Sequence, residues 1–243
     1  MNMNLKSLLS RLDASGMMLS LSGIILGILL AVAEYHVEIW PALSLILTAA
    51  LIHFHMASGN RILLAASVAG AVLTAFLSFG TLFSLEPLLV LLFSYFIIRL
   101  VKGISDSGRL SEAVVACLVK GPIALFGAYF VCTHTFGFWL LLLPAFSIGL
   151  LCVTAEGLAD GYNRHLIAFL TFLSIALMTA FSFMRILHPS HFLYVLAIPV
   201  FAIYIIRMYK KKEHTLDHYR SVFALCTLAF AVLTGLGFVG YLF

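Results

Sequence analysis

Nine long apolar runs, separated by short polar connections, limit the fold of this chain more than any other feature. An α-helix needs about 20 mainly apolar residues to cross the hydrocarbon core of a bilayer. The runs therefore predict nine membrane-spanning helices at Met17–Ala33, Trp40–Ala57, Ile62–Phe83, Pro87–Val101, Ala113–Cys132, Phe136–Ala155, Leu166–Leu187, Phe192–Met208 and Ser221–Phe243. The connections leave no room for a soluble domain, so residues 1–243 are expected to form one transmembrane domain.

The composition supports an all-α, polytopic membrane protein. Apolar residues make up 63% of the 243 positions and charged residues only 10%, a balance that a soluble fold does not show. The net charge of +4 does not indicate a nucleic-acid partner, because the basic residues lie between apolar runs, where they meet lipid head groups. We expect anionic membrane lipid or a phosphorylated lipid substrate as the partner.

The distribution of lysine and arginine predicts the orientation. Basic connections stay on the cytoplasmic side of a membrane, and 13 of the 14 basic residues lie in or beside the N-terminus and the even-numbered connections. Arg185 is the exception, and the odd-numbered connections carry Glu34, Glu38 and Glu86 instead. The sequence thus predicts the N-terminus inside and the C-terminus outside.

Two polar clusters follow apolar runs and are candidates for function, because polar groups near a membrane interior are costly. The first cluster closes the second run and contains His53, His55, Ser58, Asn60 and Arg61. It is either a ligand-facing cluster or a capped helix end whose histidines bond to neighbours.

The second cluster follows the sixth run. If the helix continues, Glu156 and Asp160 lie on one face, and with Asn163 they offer oxygen ligands to a divalent cation. The alternative is a solvated connection in which Gly161 stops the helix. Lys102 and Arg109 lie in the connection after the fourth run, where they either meet a phosphate or simply set the topology. Lys120, before Gly121 and Pro122, is expected to extend its amine towards the interface.

The order of these features resembles the UbiA superfamily of intramembrane prenyltransferases, and most closely the dihydroxynaphthoate prenyltransferases of menaquinone synthesis. The likeness covers nearly the whole chain. It rests on the nine-helix arrangement with polar clusters after the second and sixth helices, and on the stretches 22–31, 47–51 and 142–155.

The resemblance implies a UbiA-like helical bundle that binds a prenyl diphosphate through Mg²⁺ and aspartate-rich motifs. In this sequence Asn60 matches the asparagine of the first motif, but Arg61 stands where the family has an aspartate. Asp160 aligns near an asparagine, and Asn163 near the first aspartate, of the second motif. The residues implied for binding a diphosphate or lipid head group are Asn60, Arg61, Lys102, Arg109 and Arg164; those implied for a metal are Glu156, Asp160 and Asn163.

Three functions stay open at this point. The chain is a divergent, weakened or inactive member of the superfamily that retains an isoprenoid or quinone-like lipid; or an active, Mg²⁺-dependent prenyltransferase that alkylates an aromatic acceptor; or a transporter or subunit of a membrane complex. In the first case no cofactor is required, because fixed arginine and lysine charges replace the metal.

Overall fold

The computed structural model describes residues 13–80, 109–135, 137, 139–185, 188–210 and 217–240, and these residues form helices without any strand. Seven of the helical spans in the described part are long and apolar enough to cross a membrane. The protein is therefore an all-helical, multi-pass integral membrane protein.

The first three helices are α1 (Ala14–Glu34), α2 (Ile39–Ser58) and α3 (Arg61–Phe79). The next span consists of α4 (Arg109–Leu118), a π-helical turn (Val119–Ile123) and α5 (Ala124–Thr133). A 3₁₀ turn (Trp139–Leu141) leads into α6 (Leu142–Ala159), which is followed by α7 (Arg164–Met184). A 3₁₀ segment (Pro189–Ala197) then continues as α8 (Ile198–Lys210), and α9 (Asp217–Val239) ends the described fold.

Eight of the nine predicted runs correspond to these helical spans, and the fourth, Pro87–Val101, lies outside the described residues. The apolar part of α2, Ile39–His55, is shorter than the 18 residues that define the seven spans, so α2 is not among them. The sixth helix extends further than the prediction: α6 ends at Ala159 and not at Ala155, so Glu156 lies inside the helix. The third ends earlier, because Gly80 adopts the left-handed conformation that terminates α3.

The core lies where α1, α6 and α9 meet. Leu19 and Leu26 of α1 are completely buried, as are Phe223 and Phe230 of α9, and all four belong to one cluster. The span that contains α6 has 67% of its residues buried, whereas that of α3 has 17%. The central helices are thus shielded by protein, and α3 presents most of its apolar surface outward, as a helix facing lipid does.

The α2–α3 pair is joined by a small hydroxyl cluster. Ser44 of α2 lies 2.8 Å from Thr74 of α3 between hydroxyl oxygens, and Thr48 lies 3.3 Å from the same Thr74 oxygen. All three side chains are buried, and hydrogen bonds between small polar residues are a common means of pairing helices in membranes. The cluster fixes the register of α2 against α3.

Opposite ends of the bundle carry different polar groups, which we name the Asp13 end and the Glu34 end after the two ends of α1. At the Glu34 end, Glu34 accepts hydrogen bonds from Tyr129 of α5 and from Arg185, which follows α7. Arg185 is the basic residue that does not follow the charge rule, and its charge is neutralised by Glu34. The orientation itself stays a prediction.

Candidate functional site

At the Asp13 end, five ionisable side chains from five different elements lie close together. We call this group the polar cluster; its members are Asp13, His53, Lys120, Glu156 and Arg220. Two carboxylates, two fixed cations and a histidine form a nearly balanced set of charges. Such groups at the end of a bundle of apolar helices are expected to be paired.

Asp13 organises one half of the cluster. Its carboxylate accepts two hydrogen bonds from the Arg220 guanidinium, at 3.2 and 2.8 Å, and one from the backbone N–H of Gly16 at 3.0 Å. Burial opposes ionisation of Asp13, but the Gly16 N–H and the Arg220 charge outweigh this effect and hold the pKa of the carboxyl below its usual range. Nε2 of His53 donates to the Asp13 carbonyl oxygen at 3.1 Å, which attaches α2 to the start of α1.

Lys120 and Glu156 form the other half of the cluster. The Lys120 ammonium donates directly to Oε1 of Glu156, and the two side chains are only 18% and 26% exposed. The pair is partly shielded from solvent, so removal of one partner would leave the other charge without compensation in low-dielectric surroundings. The amine ends on a carboxylate in the last turn of the neighbouring helix α6, and its approach to the membrane interface stays a prediction.

The position of Lys120 results from the π-helical turn and from two glycines. Pro122 lies inside this turn, and it has no backbone N–H to donate to the preceding turn. A Cβ atom on Gly121 would clash with the carbonyl oxygen of Ala145, and one on Gly149 would clash with the carbonyl of Cys117. The two backbones are thus in direct contact at this level, which is typical of small residues between membrane helices.

A groove of about 690 Å³ runs along the same pair of helices and is closed on its other side by α7. We call this space the groove; it is lined by Ala113, Val114, Cys117, Leu118, Phe146, Leu150, Val153, Gly161, Tyr162, Asn163, Leu166 and Leu170. The volume lies within the usual range for sites that hold small molecules. Its walls are almost entirely apolar, and the polar groups lie at one end.

That polar end, residues 161–163, forms the groove mouth. Gly161 adopts a positive φ of 72° and turns the chain from α6 into α7. The Tyr162 ring packs directly on Gly157, where a Cβ atom would clash with it. Asn163 caps α7, because its Oδ1 accepts the backbone N–H of His165 at 3.0 Å. Of the two alternatives for this stretch, the helix continues through Glu156 but ends at Ala159, just before the turn at Gly161.

The predicted metal ligands lie near one another, and two of them already have partners. Glu156 accepts from Lys120, Asn163 caps α7, and Asp160 is exposed at the end of α6. Within the described ranges, no group of three histidine, cysteine or acidic side chains comes together in a way that could hold a metal ion. Two of the three side chains are therefore already engaged within the protein, and magnesium binding stays a prediction.

The other predicted residues that the structure describes lie at the starts of α3, α4 and α7. Asn60 caps α3 through the N–H of Ile62, and Arg61 is the first residue of that helix and is exposed. The lining of the groove includes Asn163 but neither Asn60 nor Arg61. Arg164 follows the groove mouth directly as the first residue of α7. Arg109 begins α4, and Lys102 lies outside the described residues.

Three members of the polar cluster, Asp13, Lys120 and Arg220, were not among the predicted site residues, whereas His53 belongs to the first candidate cluster of the sequence. Lys120 carried a usable signal, since it is a charged residue within a long apolar run and precedes a Gly-Pro pair. Asp13 and Arg220 carried none, because both lie in polar stretches and their pairing depends on α1 and α9 being neighbours. Comparison of the chain with protein-family models, with curated proteins and with solved structures gave no match.

Proposed function

We propose that this protein retains an isoprenoid or quinone-like lipid in the groove between α4, α6 and α7, and that it is a divergent, UbiA-like protein with weakened or no prenyl transfer. The observation that carries the proposal is the groove itself, an apolar space of about 690 Å³ with its polar groups confined to one end. An amphipathic lipid has the same division between a long apolar chain and a small polar head.

The groove is open to the side from which a lipid would enter. Val114, Leu118 and Leu166 are 52%, 39% and 43% exposed on its rim, and in a bilayer these side chains face hydrocarbon. A chain can therefore move from the membrane into the groove without crossing water. Transfer between two apolar surroundings has little hydrophobic driving force, so shape and the polar end must supply the preference for one lipid.

The groove mouth offers that preference. Tyr162 and Asn163 lie at its rim, and Arg164 follows at the start of α7, where the helix dipole adds positive potential. A phosphate or a quinone carbonyl is the kind of head group to which the Tyr162 hydroxyl, the Asn163 amide and the Arg164 guanidinium would donate hydrogen bonds. In the predicted orientation the mouth lies at the cytoplasmic face of a bacterial inner membrane.

Weakened catalysis follows from the use of the carboxylates. In the resemblance, acidic side chains hold Mg²⁺ against a diphosphate, but here Glu156 is bound to Lys120 and Asp13 to Arg220. A lysine ammonium beside a carboxylate repels a second cation. The arrangement favours holding a lipid over ionising a diphosphate.

The test is mass spectrometry of lipids that remain with the protein after purification in native nanodiscs. The wild-type protein should carry a prenyl phosphate or a prenylated quinone, and Val114→Trp should reduce this lipid several-fold because the indole fills the groove. Val68→Trp is the matched control, since Val68 of α3 is exposed to a similar extent, 55%, and is not part of the groove lining.

An empty wild-type protein, or equal lipid content in both tryptophan variants, would refute the proposal. A separate assay with geranylgeranyl diphosphate and an aromatic acceptor distinguishes retention from catalysis. Mg²⁺-dependent turnover that is abolished in Asp160→Ala would establish the active prenyltransferase instead.

A further inference from the structure

We infer that the Lys120–Glu156 ion pair is a positioning device that holds the groove mouth in its lipid-binding geometry. The inference rests on the proposed function and adds a determinant of it. The pair joins the same two walls, α4 with its π-helical turn and α6, between which the groove lies. Lys120 and Glu156 are not themselves part of the groove lining.

The pair acts at a distance from the glycine contact between the two walls. Gly121 packs at Ala145 and Gly149, and Glu156 is seven residues further along α6, about 10 Å by the rise of an α-helix. The Lys120 side chain must therefore extend along α6 towards its end to reach Glu156. The glycines fix the middle of the groove, and the ion pair fixes the last turn of α6.

That last turn carries the groove mouth. Gly157, the residue after Glu156, is the surface on which the Tyr162 ring packs, and the Tyr162 N–H also donates to the Gly157 carbonyl at 2.8 Å. Asn163 and Arg164 follow at once and begin α7. Displacement of the end of α6 would move Tyr162 and Asn163 together, so the ion pair controls the polar end of the groove through Gly157.

The location of Lys120 supports this role over a general stabilising one. It lies in a π-helical turn, a local distortion that occurs frequently at functional sites. The Lys120 carbonyl is also in contact with α1, because a Cβ atom on Gly23 would clash with it. The backbone of Lys120 is thus fixed against α1, while its side chain binds Glu156 of α6.

The experiment compares ligand binding with stability in four proteins: wild type, Lys120→Met, the exchanged pair Lys120→Glu with Glu156→Lys, and Arg185→Met. The probes are geranylgeranyl phosphate and a quinone that carries the same geranylgeranyl chain, so that the two sources of a prenyl chain are tested separately. Arg185→Met breaks the Glu34 ion pair at the other end of the bundle, where side-chain exposure is comparable, 29% and 20%.

We expect Lys120→Met to raise the Kd of the bound probe about tenfold, or about 1.4 kcal/mol, because the groove mouth is displaced, and the exchanged pair to restore most of the affinity. Arg185→Met should lower the melting temperature by a similar amount while its Kd stays at the wild-type value. If Lys120→Met binds as the wild type does, or if both single variants lose affinity in proportion to their stability, the positioning role is wrong. Failure of wild type to bind either probe would instead refute the proposed function.

Discussion

Asp13 has two roles at the start of α1, and they can be separated by one substitution. Its Oδ1 caps the helix by accepting the Gly16 N–H, and the ionised carboxylate pairs with Arg220 of α9. Asparagine caps a helix about as well as aspartate, but it carries no charge. Asp13→Asn therefore keeps the cap and removes the ion pair, which isolates the link between the first and last helices.

Because the pKa of Asp13 is lower in the folded protein than in the unfolded chain, its charge stabilises the fold above the unfolded pKa, about 4. That contribution is lost as the pH falls through the lower, folded pKa. We expect the melting temperature of the wild type to drop more steeply below pH 4 than that of Asp13→Asn, with the variant less stable at pH 7. Thermal scans across this pH range measure the difference, and parallel curves would contradict the assignment.

At the scale of helices, the contact between the π-helical turn and α6 determines the shape of the groove. Gly121 and Gly149 allow the two backbones to touch, and Cys117 and Val153, close to this contact in sequence, line the groove. The same span contains a glycine that packs against no neighbouring helix in the described part of the chain. A Cβ atom on Gly127 of α5 would meet nothing within 4 Å.

The pair of glycines gives a matched prediction. Gly121→Ala forces the π-helical turn away from Ala145 and should destabilise the protein by about 1–3 kcal/mol, the usual cost of overpacking. Gly127→Ala should be neutral or stabilise by up to about 1 kcal/mol, since alanine is the better helix former and has space there. Thermal unfolding in one detergent measures both. Equal effects of the two substitutions would show that α4 and α6 are not in the contact described.

At the scale of the whole molecule, the helical spans were predictable because bilayer thickness sets the length of an apolar run. The polar cluster was not. A hydropathy criterion ends a helix at its first charge, which placed Glu156 in a connection, whereas Lys120 neutralises that charge and the helix continues to Ala159. Asp13 pairs with Arg220 and Glu34 pairs with Arg185, and each partner lies more than 150 residues away in the sequence. The local sequence pattern carries no information about pairs so far apart.

The number of crossings can be tested by cysteine labelling with a membrane-impermeant maleimide, in a protein whose four native cysteines are replaced. Ser58 is the last residue of α2, Thr135 follows α5 and Asp160 precedes α7; all three are exposed. Only α6 separates Thr135 from Asp160, so these two must label from opposite sides, which makes them an internal control.

Between Ser58 and Thr135 lie α3, the predicted fourth span Pro87–Val101 and the α4–α5 span. Three crossings place Ser58 and Asp160 together, on the cytoplasmic side by the charge distribution, and Thr135 outside. If Ser58 labels with Thr135, the fourth run does not cross and the prediction of nine helices is wrong; if all three sides are reversed, the count stands and the orientation is wrong.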